Sequence, residues 1–388
     1  MTTLFIILFY LTLLLILNSF VFYPLFLFIL NKLNPVKSKT KEKIEPTVSF
    51  LIAAYNEEKV IARRIENIAN LNYDFSKLEV FIGSDKSSDS TNQILEESQA
   101  KYPWLKIFLS EERRGKAGIL NELINKVNNE IIVFTDANTE FQKDTLYNLV
   151  QDFADEKVGG VCGGLIFVDN ELTRREGVEE TKYWEYETFI KSLEGKCGIS
   201  LAANGGIFAI RKKLYKNIPV KKAVTDDLFI SLSVISQGYE FTYREDAVAY
   251  EDTGKNLSVE YKRKVRFSAT NFQTLVNFKH LLFNKNIFLG YAFFSHKVTR
   301  WILPMLLAAA FIFSALLYKE SFFIFIIFSL QILFYVFAAV GFLSSLLKIQ
   351  NHIFSLPYFF VLSNLAIAAG FIKFIKKEHS VIWTSTER

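Results

Sequence analysis

The chain has 388 residues, 51% of them hydrophobic and 15% aromatic, with 39 Phe. That is too apolar for an ordinary soluble protein, and 22% charged residues is too many for a pure membrane bundle, so a soluble domain joined to membrane spans fits both figures. The net charge of +5 is modest and clusters beside apolar segments, which points to anionic membrane lipid and away from nucleic acid. The two cysteines, Cys162 and Cys197, show no CxxC spacing and no His partner pattern, so reduced thiols and no structural zinc are expected.

Residues 3–30 contain no charged side chain and are long enough to cross a bilayer with some tilt. A cleavable signal peptide would start with basic residues and have a shorter apolar core, so this segment reads as an uncleaved anchor. Lys32, Lys37, Lys39, Lys41 and Lys43 follow it. By the positive-inside rule that flank is cytoplasmic and the N-terminus faces out.

From about residue 47 to about residue 253, strand and helix signals alternate. Strands are expected at 48–53, 78–82, 104–109 and 131–135, and helices at 57–69, 88–101 and 116–127. Strands separated by helices of that length imply a doubly wound, mostly parallel sheet. No GxGxxG follows the first strand and no GxxxxGK[ST] occurs, which argues against a dinucleotide fold and a P-loop. There is no internal repeat.

Polar residues collect at the strand ends. Tyr55-Asn56-Glu57-Glu58 follow the first strand, and Gly83-Ser84-Asp85 with Lys86-Ser87-Ser88-Asp89 follow the second. Arg113-Arg114-Gly115-Lys116-Ala117-Gly118 precede the third helix, and Asp136-Ala137-Asn138 follow the fourth strand. Ligands of such sheets bind in the crevice at the carboxyl ends of the strands. Two oxygen-bearing side chains two residues apart can share a hard divalent cation, which usually also takes phosphate oxygens. Each motif has a plainer alternative: Asp and Asn favour turns, Ser88 can cap a helix, and Lys116 can sit on a solvated face. Four motifs on one rim, mixing acid, base and amide, are hard to explain as caps alone.

Further on, Tyr261, Val265, Ala269, Phe272 and Val276 recur at helical spacing, with Lys262, Arg263, Lys264 and Arg266 on the other face. This is a basic amphipathic helix suited to a cytoplasmic membrane surface. His296, Lys297 and Arg300 stand at the membrane border as contacts to headgroups or diphosphate, or as interfacial anchors. Residues 301–318, 321–347 and 355–375 are each apolar enough to span. One plus three spans would put the C-terminus outside, with Lys373, Lys376 and Lys377 on the wrong side. Either one stretch is re-entrant or interfacial, or the basic tail breaks the rule.

The ordered motifs resemble those of the membrane-embedded family-2 glycosyltransferases, the group of cellulose, hyaluronan and poly-N-acetylglucosamine synthases. VSFLIAAYNEEKVI resembles the opening strand and nucleotide-binding turn, GSDKSSDST the second acidic motif, and RRGKAGILNELI the Gly-Lys-Ala motif. TDANTEF resembles the metal-binding DxD, VTDDLFISLSVISQGY the TEDxDL segment with the catalytic base, and LAANGGIFAIRK the segment that meets the acceptor sugar. The match covers nearly the whole chain.

The resemblance implies a GT-A type α/β fold, doubly wound and mostly parallel, with N-terminal and C-terminal transmembrane helices. It implies inverting transfer from a nucleotide-diphosphate sugar, a UDP-sugar foremost. Carried over by position, Ala54, Tyr55 and Glu57 would line the nucleotide pocket, Asp85 would bind base or ribose, and Lys116 would contact the diphosphate. Asp136 would coordinate Mg²⁺ or Mn²⁺, with Asn138 at the second DxD position. Asp227 would be the general base and Asp226 its acidic neighbour. Asn204, Gly205 and Gly206 would meet the acceptor, with Arg263 and Arg266 at the place of the family's QxxRW motif.

Displacement at an anomeric carbon needs a base for the acceptor hydroxyl proton and positive charge on the leaving diphosphate. Thr225-Asp226-Asp227 also reads as a helix start, with a cap and acids that complement the dipole, and both roles can hold. Two adjacent acids can raise the pKa of one of them. Asn204-Gly205-Gly206 also reads as a turn between strands. The aromatic run with Tyr183, Trp184, Tyr186 and Glu187 reads as a sugar platform or as a helix packed on the core.

Two departures matter. Asn138 replaces a carboxylate with a weaker metal ligand. QxxRW is not literal: Arg263-Lys264-Val265-Arg266-Phe267 keeps the charge and loses Gln and Trp.

The expected layout is an anchor at 1–31, a basic cytoplasmic linker at 32–46 and a transferase domain at 47–255. Interfacial helices at 256–300, a membrane region at 301–376 and a polar tail at 377–388 follow. The expected function is a multi-pass enzyme of the inner cell membrane with a cytoplasmic catalytic domain, extending an extracytoplasmic polysaccharide or glycan. The alternative is single addition to a polyprenyl-linked or lipid acceptor. A transporter with a cytosolic regulatory domain is disfavoured because charges within the spans are nearly absent. A nucleotidyltransferase with a related sheet is a further, minor alternative.

Overall fold

The computed structural model describes residues 2–33, 43–168, 178–252, 257–347, 349 and 352–378. Lys37, Lys39 and Lys41 of the basic linker, the Tyr183 side chain and the tail from 379 onward lie outside what is described. In chain order, α1 (Thr2–Leu17), a π-helical turn (Asn18–Phe22) and α2 (Tyr23–Leu33) come first. Next are β1 (Val48–Ala54), α3 (Ile61–Ala69), β2 (Leu78–Ser84), α4 (Thr91–Lys101), β3 (Leu105–Leu109), α5 (Gly115–Ile124) and β4 (Ile131–Phe134). β5 (Glu140–Phe141), α6 (Thr145–Val150), β6 (Val158–Val168), α7 (Val178–Lys196), β7 (Phe208–Arg211), α8 (Asp226–Ser236) and β8 (Glu240–Asp252) complete the sheet region. α9 (Leu257–Phe278), α10 (Ile287–Ala292), a second π-helical turn (Phe293–Val298), α11 (Thr299–Trp301), α12 (Leu303–Leu317), α13 (Phe322–Leu346) and α14 (His352–Lys376) follow. The chain divides into two compact units, one holding residues 30–177 and 184–255, the other 1–29, 178–183 and 256–379.

The sheet unit is built on eight strands in the order β3-β2-β1-β4-β7-β6-β8-β5. β1 is buried along its whole length, as a near-continuous apolar strand inside a covered parallel sheet should be. β1 runs parallel to β2 and β4, with Ala54 opposite Ser84 and Leu51 opposite Phe134. This register brings Tyr55, Asp85 and Asp136 out of the sheet at one edge. Val48, Phe50, Ile52, Val80, Ile82 and Val133 pack with Ile61, Ile65 and Ile68 of α3 to form the core beneath that edge.

The parallel sheet expected from the alternating pattern is the β3-β2-β1-β4 half. The other half makes the sheet mixed: β7 is antiparallel to both β4 and β6, β6 is parallel to β8, and β5 is antiparallel to β8. Apolar periodicity marks a strand but carries no information on its direction.

In the helical unit, Thr2–Leu33, Phe322–Leu346 and Ile353–Lys376 are long and apolar enough to cross a membrane. The segment expected to span at 301–318 is different: Ile287–Trp301 and Leu303–Leu317 meet at 71°. α12 has 15 residues and rises only about 22 Å against a hydrocarbon core of about 30 Å. The broken or re-entrant alternative therefore falls on this stretch.

The basic amphipathic helix is α9. Its buried residues Val265, Ala269 and Phe272 pack on α14, so protein covers that face. The pairing runs in parallel: Lys264 Nζ donates to Ser363 Oγ (3.1 Å), Ser268 Oγ donates to the Ile367 carbonyl (2.8 Å), and Phe272 meets Phe371 (4.8 Å). A Cβ on Gly370 would lie 2.4 Å from Ser268 Cβ, so only glycine allows this approach. Val276, expected on the packed face, comes level with the end of α14 and is exposed.

Candidate active site

The turns after β1 and β2 form one structure. Asn56 has φ of 54°, a left-handed conformation that Asn tolerates. Its backbone N–H donates to Ser87 Oγ (3.1 Å), and its Oδ1 accepts from the Ser88 N–H (2.8 Å). The Glu57 N–H donates to Thr91 Oγ1 (2.8 Å), and the Glu57 side chain is buried. Ala54, also buried, offers its carbonyl to the Asp85 N–H (2.8 Å).

Asp85 is fully buried and points at the start of α5. Its carboxylate accepts from the Arg114 N–H (2.6 Å), the Gly115 N–H (3.0 Å) and Arg113 Nε (3.1 Å). Gly115 takes φ of 72° to begin the helix there. The Arg113 guanidinium lies 3.3 Å from the centre of the Tyr55 ring. Tyr55, Arg113 and Asp85 thus make one wall, flat and aromatic on one side and cationic on the other.

Lys116, in the first turn of α5, bridges two acids. Its Nζ donates to Asp136 Oδ1 (2.7 Å) and lies 2.8 Å from Asp226 Oδ2. Burial opposes the ammonium charge, but the Asp136 and Asp226 carboxylates outweigh it and raise the Lys116 pKa. Asp226 and Asp227 open α8, where the helix dipole favours negative charge.

The second convergence is at Gly205. A Cβ there would lie 3.2 Å from Asp227 Oδ2 and 3.8 Å from Asp136 Oδ2, so the two carboxylates approach one point beside Gly205. Burial, then the neighbouring Asp226, pushes the Asp227 carboxyl up to about 6. Lys116, the Leu228 N–H bonded to Oδ1 (2.6 Å) and Lys191 pull the other way. Asp227 therefore combines the first-turn position of a helix acid with a carboxyl of raised proton affinity.

Residues 49–218 match the family described as Glycosyl transferase family 2. The chain carries a family-2 glycosyltransferase domain. Poly-beta-1,6-N-acetyl-D-glucosamine synthase of Staphylococcus epidermidis is 25% identical over 279 residues, a match covering 67% of this chain and 66% of that protein. Beta-monoglucosyldiacylglycerol synthase of Trichormus variabilis is 42% identical over 118 residues, covering 30% of this chain and 25% of that protein. The mannosyltransferase PcManGT of Pyrobaculum calidifontis, solved with GDP-Man and Mn²⁺, superposes with a TM-score of 0.66 at 21% identity, covering 96% of this chain and 100% of that one. What is shared at that identity is the GT-A fold.

Within the sheet unit, Lys116, Asp136 and Gly205 of the matched residues come together with Asp226 and Asp227, which follow them. Asn204 is engaged elsewhere: it accepts from Lys191 Nζ (2.5 Å) and donates to the Gly163 carbonyl (2.7 Å), anchoring the turn that carries Gly205. A Cβ on Gly206 would lie 2.8 Å from Thr139 Oγ1. Asn138 is buried, and its Nδ2 donates to Glu251 Oε1 (3.0 Å), which leaves its oxygen as the atom able to take a ligand. Trp184 packs on Phe167 (5.0 Å) and lies near Lys191. Arg263 and Arg266 stand on α9 in the helical unit, each beside the Phe267 ring.

Among the described residues there is no group of three or more His, Cys, Asp or Glu able to hold a metal. The donor set still fits one mode of binding. Mg²⁺ is commonly held by one or two carboxylates plus substrate phosphates, without an all-protein cage. Asp136, with one oxygen on Lys116 and the other toward the Gly205 opening, suits that mode.

Arg64 and Lys191 are buried cations that motif reading passed over. Arg64 donates to Asn67 Oδ1 (2.6 Å) and Thr135 Oγ1 (3.0 Å) and lies 4.4 Å from the Phe141 ring centre. Asn67 pairs with the Phe141 backbone through both its oxygen (2.8 Å) and its nitrogen (2.9 Å). α3 thereby grips both ends of the turn holding Asp136. The signal was available: Arg64 falls within the Ile61, Ile65, Ile68 stripe, where a charged residue needs a reason.

Proposed function

We propose that this chain is an inverting, metal-dependent glycosyltransferase that moves a sugar from a nucleotide-diphosphate sugar, a UDP-sugar foremost, to a growing polysaccharide or glycan at the membrane. The observation that carries this reading is the approach of Asp136 and Asp227 to one point at Gly205, with Lys116 bridging Asp136 to Asp226. The Pyrobaculum protein of the same fold holds GDP-Man and Mn²⁺, and we carry over that chemistry without its sugar.

In this reading Asp136, with the oxygen of Asn138, holds Mg²⁺ or Mn²⁺. A bound divalent cation would supply positive charge to the leaving diphosphate. Lys116, with its pKa raised, stays protonated and donates to a diphosphate oxygen. Tyr55 and Arg113 line the nucleoside end, with Ala54, Glu57 and Asp85 buried behind them and Asp85 holding the start of α5. Gly205 lets the acceptor sugar approach the backbone, while Gly206, expected to do the same, is buried against Thr139 and serves the packing of the turn. Asp227 Oδ2 accepts the acceptor hydroxyl proton as that oxygen bonds to the anomeric carbon. The bond from that carbon to the diphosphate breaks on the opposite face, which inverts the centre.

The Trichormus relative acts on a lipid, and the QxxRW motif is not literal here, so single addition to a lipid or polyprenyl-linked acceptor is the second reading. The test is purified protein with a panel of nucleotide sugars, Mg²⁺ or Mn²⁺, and either glycan primers or lipid acceptors, with product size measured. A ladder of products supports extension and a single addition supports the second reading. No transfer from any nucleotide sugar would refute both.

A further inference from the structure

We propose that Arg64 is a positioning residue for the divalent cation: it clamps the turn from Thr135 to Phe141 onto α3, and that clamp sets how well Asp136 holds the metal. The inference rests on Asp136 being the metal ligand, as proposed above. Arg64 is 1% exposed, and no described carboxylate pairs with it. The carboxylates whose charge reaches it, Glu140 and Asp136, pair instead with Arg63 and Lys116. Its Nε is buried with no hydrogen-bond partner among the described residues. A guanidinium in that state is expensive. A leucine or methionine would continue the Ile61, Ile65, Ile68 stripe at lower cost, so packing alone does not account for the charge.

What Arg64 does make is a closed bracket. One arm of its fork donates to Asn67 Oδ1 (2.6 Å), the other donates to Thr135 Oγ1 (3.0 Å), and the plane sits 4.4 Å from the Phe141 ring centre. Asn67 in turn accepts from the Phe141 N–H (2.8 Å) and donates to the Phe141 carbonyl (2.9 Å). Thr135 immediately precedes Asp136 and Phe141 closes the turn, so one turn of α3 holds both ends. The start of α3 is itself tied to the turn that carries Tyr55, because the Glu57 carbonyl accepts from the Val60 N–H (3.0 Å) and the Ile61 N–H (2.9 Å). α3 therefore keeps the metal turn and the nucleotide turn in one frame. Asp136 is the one carboxylate proposed for the cation and Asn138 a neutral donor, so no second acid makes up for a displaced Asp136. Partners behind a metal ligand commonly set metal affinity by about 10–100-fold. Charge and clamp have opposite signs here. As a charge, Arg64 repels a divalent cation, and its removal would tighten metal binding. As a clamp, its loosening weakens metal binding.

The full chain in nanodiscs, titrated with UDP and with GDP in a calorimeter at a series of Mn²⁺ concentrations, tests this without sugar and so without turnover. The wild type is expected to bind one of the two more tightly as Mn²⁺ rises. Thr135→Val removes one acceptor of the fork at nearly the same shape and keeps the charge; Arg64→Lys keeps the charge and loses the fork. Both should need about 10–100 times more Mn²⁺ for the same nucleotide affinity, with nucleotide binding in EDTA unchanged. Thermal melting checks that each variant is folded, and Thr135→Val decides alone if Arg64→Lys does not fold. A folded Thr135→Val with the wild-type Mn²⁺ requirement, or a lower one, overturns the proposal and leaves the metal reading intact. Loss of nucleotide binding in EDTA as well marks general damage to the site and also overturns it. A wild type that binds neither nucleotide, or binds both equally well without Mn²⁺, overturns the metal reading and the clamp with it.

Discussion

Asp227→Asn should separate turnover from stability, in the direction opposite to a simple helix-start role. Asn keeps the shape, and its oxygen can still accept the Leu228 N–H, but it cannot take a proton. The Asp227 carboxyl is raised from its ordinary 3.8 to about 6, so the folded state binds this proton more tightly than the unfolded chain does. The resulting stability is fully present below about pH 4 and is lost as pH rises through about 6. At pH 7.5 the carboxylate is held charged against that preference. Two units at about 1.4 kcal/mol each set an upper limit near 3 kcal/mol. Partial exposure and the nearby Lys116 ammonium reduce this to the order of 1 kcal/mol. Asp227→Asn should therefore leave Tm unchanged or raise it by a few degrees, and leave nucleotide affinity nearly unchanged. The transfer rate should fall by about 10²–10⁴. The wild-type rate should fall about tenfold per unit below pH 6, as the base protonates. Asp226→Asn should be milder, since Lys116 keeps Asp136. Titration calorimetry with nucleotide, thermal melting and initial-rate assays on both variants provide the measurements. Near-normal transfer by Asp227→Asn would refute the base assignment and leave Asp227 as a cap, a role that Asn fills as well as Asp.

Asp136→Ala is expected to abolish transfer, and excess EDTA should do the same to the wild type; full activity in EDTA would contradict the metal requirement. Asn138→Asp sets a carboxylate against Glu251 where a hydrogen bond of 3.0 Å now stands, and should cost about 1–3 kcal/mol of stability, read as a lower Tm. Gly205→Ala puts a methyl 3.2 Å from Asp227 Oδ2, so kcat/KM should fall at least about tenfold while the melting curve holds, and unchanged kinetics would remove Gly205 from the site. By the positive-inside rule, the five lysines after the first apolar segment predict that the sheet unit faces the cytoplasm. Ser76→Cys in a Cys197→Ser background should therefore resist an impermeant thiol reagent in intact cells and react after lysis; labelling from outside would reverse the topology.

Much of the molecule is local in sequence and was legible there. An apolar run of sufficient length is a potential span wherever it sits, because helix rise is constant, and residues 3–30, 321–347 and 355–375 read correctly on that basis. Asp136 must leave the sheet at the end of β4 because it is two residues beyond Phe134 in the chain, and the same adjacency puts Tyr55 and Asp85 beside β1 and β2. Tertiary structure decided what depends on contacts between distant residues. Apolar periodicity could not reveal that β7 reverses direction between β4 and β6, that α9 packs along α14, or that the chain breaks between Trp301 and Leu303. Nor could it show Lys116 reaching Asp226, Asp227 sharing a point with Asp136, or Arg64 holding the Asp136 turn from behind. Side chains tens of residues apart meet only once the sheet order is set. The raised proton affinity of Asp227 is of the same kind, because burial and neighbouring charge are properties of the folded surroundings and not of the residue.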